Sequence, residues 1–241
     1  MQALILRLQG PLMSFGDVAI DDLRPTRRLP GHAMLTGLIA NALGYEHREV
    51  DRLQRLQDRL RFAARLDAEG ALLRDFQTAE IAKNDRMWTT RGKPAERAGG
   101  TKSYSGPVLR DRHYRADAAV TVALTLQPED EAPDIAALEA AFRRPARPLF
   151  IGRKGCPPAG PILDRQVTVT SLAAALKEAT LTAPGRQRSS ASLVVETEDV
   201  AGEPEGRRVF DLADRRDWRF GLHAGNSRRR ELCVTVEEGV S

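Results

Sequence analysis

Nucleophilic catalysis needs a serine or cysteine beside a histidine and an orienting acid, and metal catalysis needs His, Cys or carboxylate ligands at close spacing. The 241-residue chain offers four histidines, His32, His47, His113 and His223, and two cysteines, Cys156 and Cys233. These residues show no nucleophile-elbow pattern and no HxxxH, CxxC or DxD spacing, so neither a triad nor a metal site is assembled locally. Gly152-Arg153-Lys154-Gly155 has the glycines and cations of a phosphate loop. It lacks the Walker spacing and the GxGxxG spacing, which argues against a bound nucleotide cofactor. No metal and no cofactor is expected. Metal-independent chemistry on RNA remains, in which a histidine or tyrosine moves protons beside a lysine that neutralises phosphate charge. His113, Tyr114, Lys102 and His32 are the candidates.

Charge distribution is the stronger signal. Lys plus Arg total 37 against 33 Asp plus Glu, a formal net charge of +4, too mild by itself to demand a polyanionic partner. Arginine carries nearly all of the basic charge, and its planar fork suits phosphates and stacked bases. Between Arg86 and Arg115 eight cations face only Glu96 and Asp111, and between Arg143 and Lys154 five cations meet no acid. Acids collect instead at 129–139 and 196–205. Such segregation predicts one surface for a polyanion, with arginines positioning phosphates and aromatics stacking bases; ordinary solvated faces are the competing reading. Phe150, in an apolar run, reads equally as core. Two cysteines support neither a disulfide framework nor a four-thiol zinc cluster, which favours a reducing cytoplasm. No apolar run approaches the roughly 18 to 20 residues of a membrane span, and the one at 3–6 is broken by Arg7, so neither a span nor a leader is expected.

A mixed set of elements must position these residues. Residues 2–8 read as a buried strand closed by Gly10-Pro11. Apolar positions 34, 35, 38, 39, 42 and 43 have helical spacing, with Gly44 as C-cap. A second helix spans 49–60, with Val50, Leu53, Leu56 and Leu60 inward. Segments 61–67 and 72–78 read as a hairpin turning near Gly70. Residues 79–111 show no sustained period, whereas 114–126 alternate as one long strand. Asp134 N-caps a helix running to about 142, 149–151 is strand-sized, and 171–179 is a short helical candidate. Strands are expected at 192–196, 207–212, 218–222 and 232–236. The order is compatible with an α+β, ferredoxin-like sheet carrying a long insertion, one of the fold types on which single-stranded RNA is read.

Six ordered blocks carry a family resemblance. They are Gly10-Pro11-Leu12-Met13-Ser14-Phe15-Gly16, Arg24-Pro25-Thr26 followed by Pro30, Leu35-Thr36-Gly37-Leu38 to Leu43-Gly44, Arg74-Asp75-Phe76-Gln77-Thr78, Tyr114-Arg115-Ala116-Asp117-Ala118 to Leu124, and Pro148-Leu149-Phe150-Ile151-Gly152-Arg153-Lys154-Gly155-Cys156-Pro157. Together they resemble the CasD family, subunits of the type I-E CRISPR Cascade complex, well over the first two thirds of the chain and loosely in the tail. The resemblance implies a ferredoxin-like, RRM-related domain over 1–160 and a small C-terminal β-rich region over 161–241. A thumb would project from about 79–111, bearing Lys83, Arg86, Trp88, Lys102 and Tyr104. It further implies a non-catalytic subunit that binds and caps the 5′ handle of a CRISPR RNA. Arg112 and Phe150 would clamp a handle base, with Gly152, Arg153, Lys154, Arg110, His113, Arg27 and Arg28 along the RNA backbone. The implied partners are the Cascade backbone subunit, the large PAM-recognising subunit and, through the complex, target DNA, with no membrane. Phe15 and Phe150 depart from the tryptophan and tyrosine the family often carries there, and Phe76 from a tyrosine. Type I-C relatives cut repeat RNA with a tyrosine, lysine and histidine that find no clean match here, so no catalytic residue is carried over. The alternative function is a metal-independent endoribonuclease that processes CRISPR repeat RNA, centred on His113.

Overall fold

Leu4, Leu6 and Leu8 alternate with Ala3 and Ile5, and all five are buried. A strand with two apolar faces belongs inside a sheet covered on both sides. The computed structural model describes residues 1–80, 87–88, 93–95, 107–180, 192–197 and 208–235. In chain order the elements are β1 (Gln2–Gln9), β2 (Leu12–Met13), β3 (Leu23–Arg24), α1 (His32–Leu43), α2 (Val50–Arg59), β4 (Leu60–Ala68), β5 (Ala71–Ala79), β6 (Met87–Trp88), β7 (Pro94–Ala95), β8 (Val108–Ala116), β9 (Ala119–Leu126), α3 (Ile135–Arg143), β10 (Leu163–Thr168), α4 (Leu172–Glu178), β11 (Ser192–Thr197), β12 (Arg208–Leu212), β13 (Arg216–Asp217), β14 (Leu222–His223) and β15 (Ser227–Thr235).

The main sheet has the order β10-β1-β9-β4-β11-β15-β12, with β1 antiparallel to both β10 and β9, and β9 antiparallel to β4. Leu4, Leu6 and Leu8 join Val122, Leu124 and Phe62 in one core, which also takes Leu35 and Ile39 of α1, Leu53 and Leu56 of α2 and Leu138 of α3. Ala3, Ile5, Ala63 and Ala123 pack on the opposite face against Leu172 and Leu176 of α4. The architecture is α+β, with the sheet between two helical layers. Gly44 ends α1 in the left-handed region at φ 81, and Asp134 starts α3 by accepting the Ala137 N–H at 2.7 Å. Among the described residues no helix is long and apolar enough to cross a membrane.

Several expected elements differ. The hairpin expected from 61–67 and 72–78 does not form, because β4 pairs with β9 and β5 pairs with β8. Residues 60–79 and 108–126 instead make one antiparallel ribbon, bent where Gly70 (φ 63) lies across from Asp117 (φ 53). A Cβ on Gly70 would sit 2.1 Å from the Ala116 carbonyl oxygen, so this glycine makes a corner and not a turn. The same corner splits the strand expected over 114–126 into β8 and β9, and β8 continues into a second sheet with β2, β3 and β5. The irregular stretch expected over 79–111 is therefore strand at both ends. Trp88 lies on β6, paired with β7, while Lys83, Arg86, Lys102 and Tyr104 lie outside the described residues.

Residues 149–151 are not a strand. Set between Pro148 and Gly152, their backbone bonds go to Ser14 and Cys156 instead of a ladder. Of the strand expected over 218–222, residues 218–221 form the turn between β13 and β14, where Asp217 Oδ1 accepts the Arg219 and Phe220 N–H groups at 2.8 and 3.2 Å. The polar run at 163–168, which lacks an apolar period, is nevertheless the edge strand β10 beside β1. With β11 on β4, β10 carries one continuous sheet across the boundary expected at residue 160.

Arg59, Arg65 and Arg229 are among the largest fully buried side chains. Arg59 closes the connection between β9 and α3 by donating to the Pro128 and Pro133 carbonyls at 2.8 and 3.1 Å. Arg65 lies beneath α4, where its Nε donates to Asp67 Oδ1 at 2.6 Å and its Nη atoms donate to the Ala179 and Thr180 carbonyls at 2.7 and 3.0 Å. It also donates to the Leu176 carbonyl, one of those that the last turn of α4 leaves unpaired. Removing one partner of a buried pair strands the other charge, so Arg65→Met is expected to lower the unfolding free energy by about 3 to 5 kcal/mol. Urea denaturation followed by circular dichroism reads this, and an unchanged midpoint contradicts the role given to Arg65.

Candidate nucleic-acid interface

Gly31 precedes α1 and brings no side-chain cap. The acceptor arrives from 182 positions further along the chain, where Asp214 Oδ2 takes the His32 N–H at 3.0 Å, and the Asp214 carbonyl takes the Ala33 N–H at 2.9 Å. A carboxylate at a helix N-terminus satisfies otherwise unpaired donors and opposes the macrodipole. The approach is close, since a Cβ on Gly31 would meet Asp214 Cβ at 2.7 Å. The same carboxylate accepts from Arg229 Nη2 at 2.9 Å and Ser227 Oγ at 2.6 Å, and lies 3.3 Å from His32 Nδ1. Burial alone pushes the Asp214 carboxyl up, but the His32 hydrogen bond, the Arg229 charge and the Ser227 hydroxyl outweigh it and hold the group well below the usual carboxylate range.

With residues 213–223 held there, α1 lines a groove of about 1010 Å³. The helix contributes Ala33, Gly37, Ala40 and Asn41, and the chain just after it adds Tyr45 and His47. Residues 147–154 bring Arg147, Phe150, Gly152, Arg153 and Lys154, the N-terminal segment brings Phe15, Asp17 and Arg27, and the C-terminal segment brings Arg216, Trp218 and His223. Five Arg and Lys residues thus line the groove with Asp17, Glu46 and the ion-paired Asp214. Phe15 and Trp218 are buried in the core behind the groove, whereas Tyr45 and Phe150 are partly exposed, and exposed aromatic faces beside cations suit a single-stranded nucleic acid.

Local chemistry fixes the loop that forms one side. Gly152 has φ 88, and a Cβ there would fall 1.6 Å from the Ser14 carbonyl oxygen, so only glycine fits. Ser14 N–H donates to the Ile151 carbonyl at 3.2 Å, while Ile151 N–H to Cys156 O and Cys156 N–H to Arg153 O, both at 2.8 Å, close the loop. Asn41 Nδ2 donates to the Pro148 carbonyl at 2.8 Å, tying the segment to α1. Arg153 donates to the His113 and Arg24 carbonyls at 3.0 and 2.9 Å and stacks 4.6 Å from the Tyr114 ring centre, so it pins the loop to β3 and β8. Lys154 is exposed and Phe150 half-buried. Cys156 is buried, and burial pushes its thiol up, against the character of a nucleophile.

The groove brings together Arg27, Phe150, Gly152, Arg153 and Lys154 of the expected site. It does not include four others. Arg28 pairs with Glu69 at 3.1 Å, Arg110 pairs with Asp22, and Arg112 donates to Gln77 Oε1. His113 Nε2 lies 3.4 Å from Asp111 Oδ1, and an Arg74 hydrogen bond holds the Asp111 carboxyl below its ordinary value. Sequence reading missed Asn41, Tyr45, Arg147, Arg216 and Trp218. Arg147 could have been found from the acid-free run at 143–154. Trp218 gives no local signal, because Gln57 on α2 seats it, accepting from Trp218 Nε1 at 3.3 Å and donating to the Arg216 carbonyl at 2.9 Å. The sheet face on which RRM-type domains stack bases is occupied at β1, β4 and β9 by α4. Among the described residues no group of three His, Cys, Asp or Glu side chains is gathered to hold a metal.

The fold is that of CRISPR-associated proteins. The chain superposes on a chain of a CRISPR RNA-guided surveillance complex with a TM-score of 0.68 at 23% identity, covering 98% of this chain and 91% of the other. It also superposes on a Cas protein crystal structure with a TM-score of 0.62 at 25% identity, covering 98% of both chains. The family profile described as CRISPR-associated protein (Cas_Cas5) matches residues 3–230. The CRISPR system Cascade subunit CasD of Escherichia coli (strain K12) is 33% identical over 167 residues, 66% of this chain and 68% of that protein. The chain belongs to the Cas5 family of CRISPR-associated proteins.

Two outcomes follow from this geometry. Gly152→Ala is expected to cost at least about 2 kcal/mol of stability, because φ strain adds to the clash with Ser14; thermal unfolding of the variant at wild-type temperature contradicts it. Asp214 has a native pKa below its unfolded value of about 3.9, so its stabilisation is complete above that pH and is lost as pH falls through the native pKa. Asp214→Asn is therefore expected to destabilise the protein at neutral pH and to flatten the loss of stability below about pH 4. Parallel urea curves at pH 7 and pH 3 check this, and equal acid sensitivity of the two proteins contradicts it.

Proposed function

We propose that the chain is a non-catalytic, cytoplasmic subunit of a Cascade-type CRISPR surveillance complex and that it holds the 5′ handle of the CRISPR RNA in the groove along α1. The observation that carries this reading is the joining of the partly exposed Phe150 and Tyr45 with Arg27, Arg147, Lys154 and Arg216 around one open trough. Family membership and the named role of the E. coli relative as a Cascade subunit support the assembly. In this reading Phe150 stacks a handle base and Lys154 meets phosphate. Arg112 closes on the same base, tied to the loop by the Arg153 bonds to His113 and Arg24, whose ladder partner is Arg112. Arg110 and His113 extend the cationic surface beyond the groove. The strand order β10-β1-β9-β4, with α1 and α3 on one face, supports a ferredoxin-like, RRM-related core. The β5–β8 half of the bent ribbon serves as the stalk of a thumb that, with the C-terminal β structure, meets the backbone and large subunits. Target DNA is reached only through the assembled complex.

A competing reading, repeat-RNA cleavage centred on His113, draws on the Asp111 carboxylate 3.4 Å from its Nε2. Labelled repeat RNA incubated with the full chain in EDTA separates the two. The handle-holding reading expects a shifted, intact RNA, with Phe150→Ala weakening binding by about 1 to 3 kcal/mol and Lys154→Gln reducing the slope of log K against log salt by about 1. A discrete cut lost in His113→Ala, or wild-type affinity in the folded Phe150→Ala protein, overturns it.

A further inference from the structure

A second cavity, of about 380 Å³, opens beside the groove, and Asp17 and Arg27 line both. Its volume lies within the roughly 300 to 1,000 Å³ of small-ligand sites, but its walls suit an anion. Arg27, Arg28, Arg115 and Arg208 face two acids, Asp17 and Glu231. Arg28 and Arg115 converge on Glu69 at 3.1 and 3.8 Å, and among the described residues the buried Nε of Arg115 meets no hydrogen-bond acceptor. Because Arg28 and Glu69 are both about half exposed, their pair contributes little, and a phosphate can exchange for the carboxylate. Phe210, half-buried on β12, has the Arg208 guanidinium 5.2 Å from its ring centre. An aromatic ring and a guanidinium plane side by side are the surfaces on which unstacked RNA bases rest.

We infer that this cavity is a second RNA subsite, which takes one nucleotide adjoining those held along α1. The base stacks on Phe210 beside Arg208, the phosphodiester meets Arg28 and Arg115, and Arg27 stands at the junction of the two cavities. The inference rests on the proposed groove. A free nucleotide shares the same chemistry, but the residues common to both cavities make a continuous strand the occupant that fits.

The test uses the full chain and labelled single-stranded RNAs of handle sequence, lengthened one nucleotide at a time from either end and read by fluorescence anisotropy. Phe210→Ala, Arg208→Gln, Phe210→Tyr and Phe150→Ala are compared with wild type, and adenosine monophosphate is the competitor. Wild-type affinity should step up about 5- to 150-fold when one added nucleotide reaches the cavity. The step should vanish in Phe210→Ala, shrink in Arg208→Gln and return in Phe210→Tyr, while shorter RNAs bind these proteins alike. If the step persists in Phe210→Ala and Arg208→Gln, or never occurs, while Phe150→Ala weakens every length, the groove stands and the subsite is overturned. If Phe150→Ala changes nothing, the groove reading fails and the subsite with it. Displacement of the added nucleotide by millimolar adenosine monophosphate makes a free nucleotide the ligand and overturns the RNA assignment.

Discussion

Asp214 is a carboxylate with almost no contact with water, and four separate groups converge on it: the backbone at the start of α1, the His32 imidazole, the Ser227 hydroxyl and the Arg229 guanidinium. A buried charge survives only when it is paired and hydrogen-bonded, so these partners are obligatory to one another. Arg229 in turn lies 4.1 Å over the Phe62 ring, and His32 meets the same ring edge-on at 5.0 Å. The network therefore joins β15, the 213–223 segment, the first turn of α1 and β4. Without it α1 would lack its N-terminal cap, and the segment bearing Arg216, Trp218 and His223 would lose its tie to α1 and keep the one to Gln57 of α2. The C-terminal wall of the groove is set where this one acid meets α1 and where Gln57 seats Trp218.

Arginine serves two purposes in the molecule, and composition alone does not separate them. Arg59, Arg65 and Arg229 are fully buried, each using its fork to satisfy several oxygens at once, which the point charge of a lysine cannot do. Arg153 belongs with them in part, since two of its nitrogens are committed to carbonyls of the neighbouring sheet. The cations that line the groove are fewer than the sequence count implies, and they are gathered by the fold: Lys154 and Arg147, which donates to the Tyr45 carbonyl, from one loop, Arg27 from the N-terminal segment and Arg216 from the far end of the chain. The same fold closes the alternative surface, because α4 packs on the small side chains Ala3, Ala63 and Ala123 where an open sheet would otherwise face solvent.

What was legible in the sequence depended on local chemistry. Helix α1 with its glycine C-cap, helix α3 with its aspartate N-cap and the buried strand β1 announce themselves through period and capping. So does the glycine loop, and it carries Phe150, Lys154 and Arg153 into the groove together. The failures share a different cause. Gly70 has the signature of a turn, yet its positive φ serves a bend in a ribbon whose partner lies nearly fifty residues away at Asp117, so the pairing is invisible locally. β10 is polar because it is an edge strand, and an edge strand needs no apolar alternation to be held by β1. Trp218 and Asp214 matter only through contacts with α2 and α1, which no spacing within the tail reveals.

The central claim is that a single RNA strand lies along α1 and not across the sheet. Photocrosslinking of the full chain to handle RNA carrying 5-iodouridine at successive positions, with the modified peptides identified by mass spectrometry, tests it most directly. The account predicts adducts on Phe150 or Tyr45, the partly exposed aromatic side chains of the groove. Adducts confined to α4 or β10, with none in the groove, would contradict it.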